Sequence, residues 1–333
     1  MMAEASVAGR AASLFEAVAA AAALLRTSRR PVIAGLETDI EGVEAAVSLA
    51  RRLGAALDHR HAAACLRDQE AMRGGWIVTT PLQMRARADR VLLAGPGLEP
   101  DRLRLDRPPR LGAGRARKIR AVDGRAETIG PVRARLAGRP AGAVPESVAA
   151  LAAWLAEASY GVVVWRAENL DALDLAMLCG LVEDLNAHTR YAGLPLPPDT
   201  AAGAMQAAAW LTGHTLPLGF SGPGGPPRHD PYLFDATRLV DSGEADAAVW
   251  IAADAVSQPA WSRPVPMVAL TAAEARLDPA AAVAIAVGRP GVDHDSVLFD
   301  GALGVLAARA ASAASGAPRC AEVLRSIEAA LPC

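Results

Sequence analysis

Short runs of aliphatic residues alternate along this chain with longer stretches whose apolar positions recur every three to four residues. A continuous valine- and alanine-rich run is the mark of a strand buried on both faces, and the longer stretches are helices laid over such a sheet. The strands expected are Pro31–Ala34, Trp76–Thr79, Val91–Ala94, Ile119–Val122, Val162–Trp165, Ala248–Ala252, Val265–Leu270 and Val283–Val287. Leu14–Arg26 is the first helix, and Glu41–Leu53 the next, with Val43, Ala46, Leu49, Ala50 and Leu53 on one face and Gly54 as its stop. Asp171–Ala187 opens on an aspartate cap and keeps Leu175, Leu178, Val182 and Leu185 in phase. Ala202–Leu211 carries no charge and is expected to be a buried helix. Strands alternating with helices imply an α/β fold with parallel sheets, and no long internal period suggests a solenoid.

Composition narrows the function classes. At 333 residues the chain is long enough for two domains. A formal net charge of −2 gives no global attraction to nucleic acid or anionic lipid. Lys118 is the single lysine, and no G-x-x-x-x-G-K-[ST] motif or strict G-x-G-x-x-G is present. Cys65, Cys179, Cys320 and Cys333 are scattered without a C-x-x-C pair, which points away from a disulfide framework or a cysteine metal cluster and toward a reducing, cytoplasmic setting. Ala11–Leu25 is apolar but interrupted by Glu16, so an amphipathic first helix is expected in place of a signal segment.

Candidate chemistry is sparse. After the helix ending at Thr212-Gly213, a Gly/Pro-rich loop runs to Pro231, and a loop of that length in a compact domain is expected to be functional or a partner surface. It carries His214, Ser221, Arg228, His229 and Asp230, a shaped polar surface with no readable Ser-His-Asp order. Asp58-His59-Arg60-His61 places two histidines two residues apart, with Cys65 just beyond; a shared zinc and a hydrogen-bonded strand end are the two readings. Asp101–Arg120 is strongly basic, either an anion or acidic-partner surface or a solvated connection between strands. Glu168 and Asp171 are expected to form a helix N-terminal cap region rather than an acid–base pair. Turn chemistry at Gly35, Gly95-Pro-Gly97, Asp123-Gly124, Gly193 and Asp254 would line a cleft beyond strand ends, where doubly wound sheets bind ligands.

Several stretches together resemble one family: RRPVIAG, ADRVLLAGPGLEP, RKIRAVDGRAE, DLAMLCGLVEDLN, YAGLPLPPDTAAGAMQAAAWLTG, FSGPGGPPRHDP, SGEADAAVWIAADAVSQPA and GVDHDSVLFDGALGVL. In this order they resemble the body of molybdopterin-dependent formate and formylmethanofuran dehydrogenase catalytic subunits. The chain departs from that family in four ways, one being the absence of the C-terminal barrel that grips the pterin dinucleotide in many relatives, which can be a separate subunit. It lacks the cysteine-rich segment for an iron–sulfur cluster, carries Leu66-Arg67 after Cys65 where His-Gly is expected, and reads Gly222-Pro223 after Phe220-Ser221. These departures resemble the B subunits of bacterial formyltransferase/hydrolase complexes, which are related to the formylmethanofuran dehydrogenase B subunits and lie in a degenerate branch of the molybdopterin oxidoreductases.

The resemblance implies two Rossmann-like parallel-sheet domains, one inserted in the other. Residues 1–90 and 233–333 would form a discontinuous α/β domain, and 91–232 the inserted one. It implies a non-catalytic scaffold in one-carbon metabolism and formaldehyde oxidation in methylotrophs. Its partners would be an amidohydrolase-like subunit, a formyltransferase subunit and a further small subunit, without nucleic acid or membrane. The complex would use a methanofuran-like cofactor and a tetrahydromethanopterin-like carrier, this chain binding no cofactor or metal. Cys65, Gly95, Gly97, Asp123, Gly193 and Asp254 would then mark a vestigial cleft. Arg102, Arg104, Arg110, Arg115 and Arg117, with His214, Ser221 and Arg228, would be an anion or partner surface, guiding the furan cofactor if it carries an acidic tail. The alternative is an active molybdenum- or tungsten-pterin subunit with Cys65 as metal ligand. A binding domain like those between catalytic domains of thiamine-diphosphate enzymes accounts only for the first fifty or so residues.

Overall fold

A computed structural model describes residues 5–73, 77–101, 103–106, 116–139, 145–254, 257–272, 277 and 280–332. Its elements run β1 (Ala5–Val7), β2 (Arg10–Ala12), α1 (Leu14–Thr27), β3 (Pro31–Glu37), α2 (Ile40–Leu53), β4 (Ala56–Leu57), α3 (Ala62–Met72), α4 (Pro81–Arg87) and β5 (Arg90–Ala94). The chain continues with β6 (Lys118–Val122), α5 (Ala126–Leu136), α6 (Glu146–Ala156), β7 (Gly161–Trp165), α7 (Ala172–Asn186), β8 (Tyr191–Pro195) and α8 (Asp199–Thr212). It closes with β9 (Leu218–Phe220), β10 (Pro227–His229), α9 (Ala236–Asp241), β11 (Ala247–Ala252), β12 (Met267–Thr271), β13 (Val283–Ala286), β14 (Ser296–Asp300), β15 (Val305–Arg309) and α10 (Cys320–Ala329).

The chain divides into two compact α/β units. The first comprises Met1–Ala62, Asp199–Phe299 and Leu306–Cys333; the second, Ala63–Pro198 and Asp300–Val305. These limits differ from those expected at residues 90 and 232. Ala64 and Ala71 of α3 and Met84 and Ala88 of α4 enter the hydrophobic cores of the second unit, so 63–90 belongs there. Conversely, α8 packs on α2 and β3, and β9 pairs with β4, which holds 199–232 in the first unit.

In the first unit a nine-stranded sheet has the order β10-β9-β4-β3-β11-β12-β13-β1-β2. β4, β3, β11, β12 and β13 are parallel neighbours, flanked by antiparallel strands at both edges. Taken in chain order the five parallel strands lie second-first-third-fourth-fifth, so the winding reverses between β3 and β11. Val32, Ala34, Ala248 and Trp250 turn to the face carrying α9, where Trp261 meets Trp250 edge-on at 5.4 Å. α2 begins at a capping Asp39 and ends at Gly54, whose φ of 68° satisfies the left-handed C-terminal position.

The second unit holds a four-stranded, all-parallel sheet in the order β6-β5-β7-β8. Its central strands explain the unbroken apolar runs in the sequence. Val91 and Leu93 face one core with Met84 of α4, while Leu92 and Ala94 face the other with residues of α5, α6 and α7. Tyr191–Pro195, unassigned from sequence because Gly193 reads as turn chemistry, is an edge strand. The expected strand Trp76–Thr79 reduces, among the described residues, to a single bridge between Val78 and Gly193, Trp76 lying outside them.

One close approach fixes the pairing of β7 with β8. A β-carbon at Gly161 would lie 2.1 Å from the Tyr191 ring, which is fully buried and anchored by its hydroxyl donating to the Leu155 carbonyl at 2.9 Å. Gly161→Ala is therefore expected to destabilise the fold by about 3 kcal/mol, the upper end of overpacking costs. Urea denaturation would show this as a lower midpoint; an unchanged midpoint would mean the tyrosine yields.

Candidate functional site

The strand ends where each sheet reverses direction are the places where open α/β folds bind ligands. In the first unit that place is the end of β3 beside β11. Gly35 and Leu36 both adopt positive φ, 83° and 57°, and the β3–β11 register shifts between Trp250 and Ala252. Gly35 is required because a β-carbon there would lie 2.5 Å from the Ile251 carbonyl oxygen. Leu36 is buried and non-glycine, a strained conformation costing about 1–3 kcal/mol that the surrounding core must over-determine.

The bulge delivers Glu37 into the strand-end edge, where its side chain is buried. Ser257 Oγ donates to one carboxylate oxygen and Arg60 Nη1 lies 3.2 Å from the other. Burial pushes this carboxyl above its usual range, opposed by those two partners and assisted by the nearby Asp254. The Glu37 carbonyl accepts from the backbone N–H groups of Ala253 and Asp254, so Asp254 does lie at this edge. Next along the chain, Asp39 accepts the Gly42 N–H at 2.9 Å at the start of α2, with His294 Nε2 at 3.5 Å from its other oxygen. The helix N-terminus that would attract a ligand phosphate is thus occupied by the chain's own carboxylate. Sequence patterning singles out neither Glu37 nor Asp39, although a strand ending in Gly35 followed by a capping aspartate is the available signal.

The Asp58–His61 segment lies just after β4 and is buried at its centre. His59 Nδ1 accepts the His61 backbone N–H at 3.1 Å, so Nε2 carries the proton toward Thr200 Oγ1, also at 3.1 Å. Burial, followed by the charges of His61 and Arg60, pulls His59 down to about 3, leaving a neutral ring with both nitrogens committed. Among the described residues no three His, Cys, Asp or Glu side chains converge as metal ligands. The segment is built as a hydrogen-bonded strand end.

In the second unit the corresponding edge is filled the same way. Gly95 and Gly97 follow β5 with φ of 104° and 74°, allowing a tight turn under Leu170. Asp123 accepts the Arg125 N–H at 3.0 Å and the Thr128 hydroxyl at 2.9 Å. Asp174 accepts the Ala126 N–H at 2.8 Å, the Arg125 guanidinium at 2.7 Å and the Asp171 N–H in a capping box, tying the starts of α5 and α7 to one carboxylate. Burial raises this carboxyl, but the hydrogen bonds from Ala126, Asp171 and Arg125 hold it below the usual range. Gly193 is corrected: it lies inside β8, where it exchanges hydrogen bonds with Ile77 and Thr79, and is not a strand end. Glu168 pairs with Arg166 at 3.6 Å, leaving Asp171 as the cap.

Cys65 is buried in α3, its thiol pushed up to about 12 by burial and then by Asp68 and Glu168. The carboxylates of Asp39 and Asp174 at the helix starts do not fit the diphosphate of a pterin dinucleotide, and no chemistry is derived through one. Of the vestigial-cleft residues, Asp254 falls in the first unit; Cys65, Gly95, Gly97, Asp123 and Gly193 fall in the second.

The long loop is also corrected: among its residues β9 and β10 form an antiparallel hairpin at the edge of the large sheet. His214 lies exposed beyond α8, Ser221 exposed in the hairpin turn, and Arg228 exposed on the edge strand β10. His229 is not a surface group; its Nδ1 lies 3.0 and 2.8 Å from the Thr215 and Pro217 carbonyls. Asp230 accepts from the Tyr232 and Leu233 N–H groups. In the second unit Arg104 is exposed. Arg117 is corrected, because it donates to the carbonyls of Ala88, Leu105 and Arg85 and so pins backbone. Arg102, Arg110 and Arg115 lie outside the described residues.

One buried acid gives this region a measurable titration. Asp58 accepts the Ala236 N–H with Oδ2, while its buried Oδ1 has no partner, and burial pushes the carboxyl up to about 7. A raised carboxyl stabilises the fold below its unfolded value near 4, and that contribution disappears as pH rises through about 7, a span of roughly 4 kcal/mol. Asp58→Asn is expected to remove this slope, so that the stability difference from wild type changes between pH 4 and 8 in chemical denaturation. Parallel stability profiles for the two proteins would refute the assignment.

No family model matches the chain. It is 34% identical over 332 aligned positions, 92% of this chain and 91% of the relative, to the B subunit of the formyltransferase/hydrolase complex Fhc of Methylorubrum extorquens. The fold superposes with a TM-score of 0.86 and 34% identity, over 98% of both chains, on a chain of the X-ray crystal structure of the formyltransferase/hydrolase complex (FhcABCD) from Methylorubrum extorquens in complex with methylofuran. This full-length likeness decides between the two families the sequence resembles: the chain belongs to the family of formyltransferase/hydrolase complex B subunits.

Proposed function

We propose that the chain is a non-catalytic scaffold of a cytoplasmic formyltransferase/hydrolase complex in one-carbon metabolism. The observation that carries this reading is the full-length match to a B subunit, combined with strand ends whose polar groups are consumed by one another. In the proposed assembly a formyltransferase subunit moves a formyl group from a tetrahydromethanopterin-like carrier to a furan cofactor of the methylofuran kind. An amidohydrolase-like subunit then cleaves the formyl amide with water, releasing formate and the free amine. A further small subunit completes the complex. This chain's own residues hold its two sheets rigid and present surfaces to those partners; no group of its own takes part in bond making.

The competing reading, an active metal–pterin subunit with Cys65 as ligand, is not favoured by the full-length likeness to a formyltransferase/hydrolase complex B subunit. Native affinity purification through this chain, followed by mass spectrometry, is expected to recover formyltransferase-like and amidohydrolase-like chains in fixed ratio. Cys65→Ser is expected to leave formate release by the purified complex within about twofold of wild type, the change expected where no transition-state contact is lost. Stoichiometric molybdenum or tungsten that disappears in Cys65→Ser would establish the competing reading instead.

A further inference from the structure

The sheet of the second unit ends on β6, and that edge is open. At the other margin β8 is covered by residues 77–79, whose Ile77 carbonyl and Thr79 N–H exchange hydrogen bonds with Gly193. β6 bonds to β5 through Lys118, whose N–H donates to the Asp89 carbonyl at 2.9 Å, and through Val122, whose carbonyl accepts the Gly95 N–H at 2.9 Å. Backbone groups alternate in direction along a strand, so the N–H and C=O of Ile119 and Ala121 point away from β5. Among the described residues neither of these N–H groups meets an acceptor. The central strands β5 and β7 are buried throughout, whereas Lys118, Arg120 and Ala121 of β6 stand exposed.

An open edge pairs with any extended chain unless its side chains select one. Lys118 and Arg120 lie two residues apart and so share one face, the face carrying α6. Arg120 donates through Nη1 to the Ala150 carbonyl at 3.3 Å and rests over the Trp154 ring at 5.1 Å, which holds its guanidinium beside the edge. Among the described residues no carboxylate pairs with either cation. The nearest acids are already engaged: Glu157 with Arg90, the cross-strand neighbour of Lys118, at 2.9 Å, and Asp123 with the Arg125 N–H and the Thr128 hydroxyl. Two copies of β6 set side by side would bring like charges opposite one another, whereas an acidic strand gains a favourable pair at each position.

We infer that β6 receives an extended, acidic segment of another subunit as an added strand, with Asp or Glu at alternate positions facing Lys118 and Arg120. The residue between those two acids lies on the opposite face beside Ile119, which packs on the core there, and is uncharged. The backbone groups of Ile119 and Ala121 supply affinity that any extended chain would feel, and the two cations fix register and reject basic strands. The inference rests on the scaffold reading, since it names one of the surfaces through which the chain would hold its complex.

The test uses the co-expressed, purified complex. A carbodiimide joins an amine to a carboxylate in contact with it, and is expected to link Lys118, the single lysine of the chain, to an Asp or Glu of one partner. Residue-resolved hydrogen exchange is expected to show the Ile119 and Ala121 amides protected in the complex. Ala121→Pro deletes one outward N–H and leaves the β5 hydrogen bonds in place, and is expected to weaken retention of the crosslinked partner about tenfold in native mass spectrometry on dilution. Lys118→Glu combined with Arg120→Glu is expected to weaken it at least as much, and lysines in place of the partner's two acids to restore it. That restoration separates recognition from a defect in folding. Unprotected Ile119 and Ala121 amides, a Lys118 crosslink to a second copy of this chain or to no partner, or a charge swap without restoration would overturn the inference while leaving the scaffold reading intact. A wild-type chain that recovers no partner would overturn both.

Discussion

The bulge at Gly35–Leu36 governs the first unit. A regular β3 would carry its side chains past β11 in simple alternation. The two positive-φ residues instead turn the chain back, so the Glu37 carbonyl caps two N–H groups of the β11 exit and its carboxylate points inward. Ser257 and Arg60 are drawn to that buried carboxylate, and Arg60 is itself fixed by its backbone N–H on the Gly35 carbonyl. The strain stored at Leu36 is held by this mutual bonding, which also closes the edge to a second anion.

A common rule connects the two units. In each, helix N-terminal N–H groups that could face a phosphate are satisfied by an internal aspartate, Asp39 in one and Asp174 in the other. Such caps stabilise helices by about 1 kcal/mol each, and their charge repels anions from the same spot. In both units the N–H groups at these helix starts are thus taken up within the chain itself.

The legible part of the sequence was the part governed by local rules. Val91–Ala94 and Val162–Trp165 announced themselves because strands buried on both faces must be apolar throughout. The α7 helix was marked by an Asp171 cap and a regular apolar phase. Tyr191–Pro195 was obscured because an edge strand tolerates the glycine and proline that elsewhere break strands. The β9–β10 hairpin was hidden in a Gly/Pro-rich stretch, since only pairing with β4 shows that three residues there are extended. Unit limits were misplaced for a related reason: α3 and α4 reveal their allegiance only through the core that Ala64 and Met84 enter. At the candidate sites the sequence named the glycine turns but not Glu37 or Asp39, whose importance arises from a register shift that no spacing displays.

The segment order of the two units has a consequence for how the chain is made. The second unit's sheet is complete once β8 has emerged at Pro195, and nearly all of that unit is one continuous stretch. β3, by contrast, ends at Glu37 and waits for its neighbour β11, which begins at Ala247, while α10, the packing partner of α2, is made later still. During translation the ribosome therefore carries a finished inner unit tethered to an apolar strand with one open edge, the kind of intermediate that favours mispairing. The strained turn after β3 and the inward-facing Glu37 make that waiting edge short and irregular, which limits the wrong partners it can accept.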